Sequence, residues 1–140
     1  MNKPLNILVA NDDGIASPGL LRLANAAARL GDVWVAAPQG QCSGMSQKIT
    51  IAGEISVEKR DFPADVKAAY AIGGTPVDCV KTAIKSLLPV KPDVVFSGIN
   101  SGFNTGFDIA YSGTVGAAMD ALLNGVPAIA FSETHVGCRE

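Results

Sequence analysis

The chain has 140 residues, enough for one domain that buries roughly two-thirds of the surface its unfolded form exposes, so a core needs neither disulfides nor a structural metal. A formal net charge of -2 with scattered Lys and Arg offers no basic stripe to neutralise nucleic-acid phosphates, which disfavours polymer binding and leaves a mononucleotide open. No apolar run approaches the ~20 residues that span a bilayer, and MNKPLN leads straight into a strand rather than a signal peptide's apolar region, so the expected location is the cytoplasm.

The first element is an apolar strand, LNILVAN (5–11), followed by PGLLRLANAAARL (18–30), whose apolar positions recur at helical spacing. Ser17 suits the cap, Pro18 the first turn, and Gly31 is expected to close the helix. A second strand, DVWVAAP (32–38), completes a βαβ unit. Two strands joined by one helix must lie parallel, which makes the loops after Ala10 and Pro38 neighbours at one sheet edge.

KITIAGEISVEKR (48–60) alternates β-branched residues around Gly53 and reads as a hairpin or an excursion from the sheet. AAYAIG (68–73) is a short strand. Thr75 can then cap, and Pro76 start, a helix that runs to about Leu88. PDVVFSGIN (92–100) is a further parallel-type strand, after which SGFNTGFDIAYSGT is too Gly-rich and polar for core. SGTVGAAMDALLNG (112–125) is a helix ending at Asn124–Gly125, and PAIAFS (127–132) a last strand. Cys42, Cys79 and Cys138 are odd in number and widely spaced, which reads as buried or incidental thiols. His135, the single histidine, reads as solvated.

Three loops converge at the carboxyl edge of this sheet, bearing Asp12 and Asp13, Ser43, and Asn100. All four offer oxygen, and oxygen-only sites select hard cations such as Mg²⁺ or Mn²⁺ over zinc. A cation would also outweigh the mutual repulsion of the paired carboxylates. Asp-Asp-Gly is equally an ordinary turn that caps the next helix, and Ser43 equally a turn residue. Ser112, Gly113 and Thr114 open a helix, where unpaired N–H groups and the helix dipole suit a phosphate, or where Ser and Thr simply cap. G-x-G-x-x-G and G-K-[ST] loops are absent, so neither a dinucleotide fingerprint nor a Walker A loop is present.

The motifs ILVANDDGI, VAAPQGQCSGMS, GGTPVDCV, SGINSGFNTG and YSGTVGAAM run in order through nearly the whole chain. On these the sequence resembles the survival protein SurE family of metal-dependent nucleotidases and acid phosphatases. The resemblance implies a Rossmann-like, three-layer α/β sandwich with a mostly parallel sheet, and one divalent cation, Mn²⁺ or Mg²⁺. It implies release of phosphate from nucleoside 5′- and 3′-monophosphates, with polyphosphate attacked by some members. Carried over by residue, the metal ligands are Asp12, Asp13, Ser43 and Asn100, and the phosphate contacts are Asn104, Ser112, Gly113 and Thr114. Asn104 rests on the resemblance alone. Family members are longer, and their C-terminal portion supplies an arm and helix that build the homo-oligomer and part of the substrate cleft. This sequence stops at SETHVGCRE after its last expected strand, so the expectation is a single core domain, 1–140, without that arm.

The expected reaction is hydrolysis of a phosphate monoester by water, with Asp12 orienting or deprotonating it, or with an aspartyl-phosphate on Asp12 as the alternative. A rival class is a catalytically weak or inactive domain that binds metal and nucleotide. A nicotinamide-dependent oxidoreductase is a weaker rival, because Asp12 and Asp13 would face the pyrophosphate's negative charge.

Overall fold

A computed structural model describes residues 3–134, so His135 and Cys138 lie outside the described residues. The strands are β1 (Leu5–Ala10), β2 (Gly31–Pro38), β3 (Val57–Arg60), β4 (Ala68–Ile72), β5 (Val94–Ser101) and β6 (Ala128–Glu133). The α-helices are α1 (Pro18–Ala28), α2 (Pro76–Thr82) and α3 (Gly113–Leu123). One six-stranded sheet has the order β3-β4-β2-β1-β5-β6, and every neighbouring pair is parallel except β3 with β4.

Burial divides the core into two layers, one on each face of the sheet. Ile7, Val9, Val33 and Val35 point to one face, where Leu20, Leu23 and Ala24 of α1 pack. Leu8, Ala10, Trp34 and Val95 point to the other, against Cys79 and Val80 of α2 and Ala117 and Ala121 of α3. The alternation along each strand follows from the two-residue period of the pleat, and burial on both faces explains why these strands read as continuous apolar runs. The result is the expected three-layer, Rossmann-like α/β sandwich. β1 has β2 on one side and β5 on the other, so the chain reverses direction across the sheet there. Open α/β sheets hold their ligands at the carboxyl ends of such a pair.

The caps at both early helices form as expected. Ser17 accepts the Leu20 N–H at 3.1 Å with Pro18 in the first turn. Thr75 and Asp78 make a reciprocal capping box at 3.1 and 2.9 Å, with Pro76 in the first turn. Other expectations need correction. Gly31 begins β2 and does not close α1, which already ends at Arg29 through N–H bonds to Ala26 and Ala27. Of 48–60 only Val57–Arg60 is a strand, an antiparallel edge to β4. The segment before it is tied down by side chains instead: Thr50 donates to both Asp78 oxygens at 2.9 and 2.6 Å, and Thr75 donates to the Lys48 carbonyl at 2.5 Å. The helix expected to reach Leu88 is α-helical only to Thr82 and continues as a π-helical turn, Ala83–Leu87. The expected loop 101–114 holds a short 3-10 helix, Gly106–Tyr111. Cys79 is buried and Cys42 half-buried, both as free thiols.

Burial pulls the Asp78 carboxyl upward, but the hydrogen bonds from Thr50 and Thr75 outweigh it and hold it below the usual carboxylate range. Its stabilisation is therefore complete above the unfolded-state value and is lost as pH falls through the lower folded one. Asp78→Asn should lower stability at neutral pH by about 1–3 kcal/mol. Urea unfolding at a series of pH values should show that gap narrowing as the wild-type carboxyl protonates in acid.

Candidate functional site

β1 ends at Ala10 and the chain turns at once around Asn11, which is fully buried. Its amide nitrogen donates to the Gly14 carbonyl at 2.9 Å and to the Ser17 hydroxyl at 3.1 Å, and its amide oxygen accepts the Gly14 N–H at 3.2 Å. These bonds close the turn on itself and fix Asp12 and Asp13 between its ends. Asp12 is only 5% exposed, and one of its oxygens accepts the Thr114 hydroxyl at 2.8 Å. Its main-chain carbonyl accepts the Cys42 N–H at 2.7 Å, which binds the loop after β2 to the loop after β1. Asp13 accepts the Ser101 N–H at 3.2 Å, at the end of β5.

Asp12, Asp13, Ser43, Asn100, Asn104 and Ser112 thereby line one cleft of about 280 Å³, with Phe103, Asp108 and Tyr111 completing its wall. Asn100 lies within β5 rather than in the loop beyond it, and its amide nitrogen donates to the Gly102 carbonyl at 2.9 Å, so the amide oxygen is the atom it could offer a cation. Asn104 donates to the Ser132 hydroxyl at 2.6 Å. Ser112 caps α3 by accepting the Val115 N–H at 3.2 Å.

Gly113 and Thr114 stand behind the cleft. Both are buried in the first turn of α3, and a Cβ on Gly113 would meet Asp12 Cβ and Pro76 Cγ at 3.0 Å. Thr114 has its hydroxyl on Asp12, so what it offers an anion is its main-chain N–H, one of the first-turn donors that have no partner inside the helix. Asn11, Ser101 and the main-chain N–H of Cys42 are contributors that the sequence reading passed over. Asn11 carried a signal, a buried polar residue closing an apolar strand before Asp-Asp-Gly and six residues ahead of Ser17.

Burial, together with the neighbouring Asp13, pushes the Asp12 carboxyl above its usual range, against the lowering effect of Thr114. Burial and the Asp12 charge push the Cys42 thiol up as well. Among the described residues, no Lys, Arg or His lines the cleft, and no cluster of three or more His, Cys, Asp and Glu able to hold a metal occurs. The donor set is two carboxylates with a hydroxyl and an amide oxygen. That chemistry fits a hard divalent cation, which would supply the positive charge that Asp12 and Asp13 lack.

The sequence model described as Survival protein SurE matches residues 7–137. The chain belongs to the SurE family. It is 45% identical over 142 residues to a 5′-nucleotidase SurE of Chlamydia felis, covering 99% of this chain and 52% of that protein. It is 47% identical over 140 residues to the 5′-nucleotidase SurE 1 of Chlamydia caviae, covering 97% and 50%. The crystal structure of the SurE protein from Aquifex aeolicus superposes with a TM-score of 0.79 at 43% identity, over 91% of this chain and 50% of the other. The chain thus spans about half the length of the SurE proteins it matches.

Asp12→Asn removes a buried charge beside Asp13 while keeping an acceptor for Thr114. The metal-free variant should be as stable as the wild type or more so by about 1 kcal/mol, because burial and repulsion oppose ionisation there. Mn²⁺ at a hundredfold excess over its Kd should stabilise the wild type by about 2.7 kcal/mol and the variant far less, read from thermal unfolding with and without the ion.

Proposed function

We propose that this chain is a divalent-metal-dependent phosphomonoesterase that releases phosphate from nucleoside monophosphates, in the cytoplasm. The observation that supports this most directly is the meeting of four oxygen donors from three separate segments in one cleft, at the N-terminus of α3. The names of the SurE relatives, 5′-nucleotidases, point the same way.

Asp12, Asp13, Ser43 and Asn100 would hold one Mn²⁺ or Mg²⁺, which when bound supplies positive charge to a phosphate oxygen and lowers the pKa of water. The chain's own groups do the rest. The first-turn N–H groups of Gly113 and Thr114, with Ser112 and Asn104, hold the other phosphate oxygens, and the positive end of the helix favours their charge. Thr114 holds one oxygen of Asp12 and thereby turns the other toward the reacting water. Asp12 orients that water and accepts its proton as the water oxygen bonds to phosphorus and the P–O bond to the alcohol breaks, the leaving alkoxide taking a proton from solvent. Polyphosphate presents the same terminal phosphate to these donors.

Phosphate release from AMP and GMP by the purified chain should require Mn²⁺ or Mg²⁺ and cease in EDTA. Asp13→Asn should reduce turnover on the order of 100-fold at limiting metal, since loss of a ligand exceeds the 10–100-fold cost of losing a ligand's supporting partner. Binding of Mn²⁺ and AMP without any release would replace the enzyme with a binding module.

A further inference from the structure

The cleft that gathers the oxygen donors, about 280 Å³, is at the lower limit of cavities that enclose small ligands, little space for a cation, a phosphate and a nucleoside together. A cavity of about 710 Å³ opens beside it at the N-terminus of α1. Asp13, Gln41 and Ser101 belong to the walls of both. An ester whose phosphate lies in the cleft therefore reaches the larger cavity by crossing Asp13. We propose that this cavity is the subsite for the nucleoside leaving group, with the heterocyclic base stacked on Arg22; this rests on the phosphomonoesterase reading above.

The chemistry of the wall argues for a flat, polar-edged ligand. Arg22 of α1 and Glu133 of β6 form a two-pronged pair, with Nη1 donating to Oε2 at 2.9 Å and Nη2 donating to Oε1. Such a pair holds the guanidinium rigid and planar, and about half of the Arg22 side chain stays exposed. A fixed, exposed guanidinium plane is a stacking surface for an aromatic ring, and Glu133 occupies only two of its five N–H donors. Glu133 also cancels the charge of Arg22. A lone arginine would compete with the cleft for the phosphate, whereas the neutral pair leaves the phosphate to the cleft and the base to the arginine face. The amide of Gln41 supplies a donor and an acceptor for the base edge, and Ile99 an apolar contact, while the Gln39 amide nitrogen already donates to the Ser56 hydroxyl at 3.2 Å.

The opposite flank fits a base less well. Its cavity, about 440 Å³, touches the cleft only at Ser112 and is walled largely by apolar groups. The Ser46 hydroxyl there is already donated to the Ala110 carbonyl at 2.7 Å, and Phe107 is 93% exposed. A base placed there would regain few of the hydrogen bonds lost with its hydration, since Gln47 is the one amide side chain in that wall.

The test compares kcat/KM for AMP with that for glycerol 2-phosphate, which has the phosphate but no ring, in the Mn²⁺-loaded chain. Arg22→Lys keeps the charge and loses the plane, and should lower the AMP-to-glycerol-phosphate ratio about tenfold, the scale of one base stacked on one side chain. The ratio is internal to one sample, so partial unfolding of a variant cancels. An unchanged ratio in Arg22→Lys and Arg22→Ala, or a fall in Phe107→Ala instead, overturns the proposal. A second readout is independent of turnover: adenosine titrated into the ¹⁵N-labelled chain should shift the amides of Gly14, Gly19 and Gly40, and Arg22→Ala should abolish the effect. Shifts confined to 106–111, or none at millimolar adenosine, overturn it. A wild type that hydrolyses neither ester would refute the phosphomonoesterase reading, while the adenosine titration would still decide the subsite.

Discussion

The constraint on which the rest of this structure depends is the burial of the Asp12 charge beside Asp13. Desolvation and like-charge repulsion both oppose ionisation there, and among the described residues the Thr114 hydroxyl is the one side chain that offsets them from across the molecule. That bond joins positions 102 apart, the end of the first strand and the start of the last helix. For it to form, β1 must lie centrally in the sheet and α3 must be held with its first turn against the β1 edge.

The backbone meets that demand by close approach. Gly113 lets the start of α3 come within contact of Asp12, and at Gly116 any side chain would run into the Ser46 carbonyl. The loop carrying Ser43 is therefore pressed against α3, held to Asp12 by the Cys42 N–H, and gripped farther along by the Thr75–Asp78 capping box through Lys48 and Thr50. A segment with no regular structure of its own is fixed by contacts at both ends. This is how an irregular loop can hold a side chain such as Ser43 at the cleft.

What was legible in the sequence was what local chemistry decides. Strand β1, the Ser17 and Thr75 caps with Pro18 and Pro76 behind them, and the helix opening at Ser112 depend on neighbours within a few residues. The convergence of Asp12, Asp13, Ser43 and Asn100 was legible because parallel strands joined by helices must end at one edge. The misreadings concern distant partners. Residues 49–56 alternate like a strand, yet they form none, and Thr50 bonds to Asp78 of α2 instead. The sequence around Thr114 gives the helix start but not that its hydroxyl faces Asp12. Arg22 and Glu133 are 111 positions apart, and neither stands in a motif.

The site is thus made of two materials. The oxygen-lined cleft is backed by close contacts at Gly113, where a Cβ would meet the Asp12 and Pro76 side chains at 3.0 Å, and at Gly116, where it would run into the Ser46 carbonyl, so a sequence drifting under selection has few neutral moves there. The wall of the larger cavity has Arg22, Gln39 and Gln41 exposed at the surface. Divergence in such a lineage would run along one side of Asp13, altering the wall of the larger cavity while leaving the oxygen-lined cleft untouched.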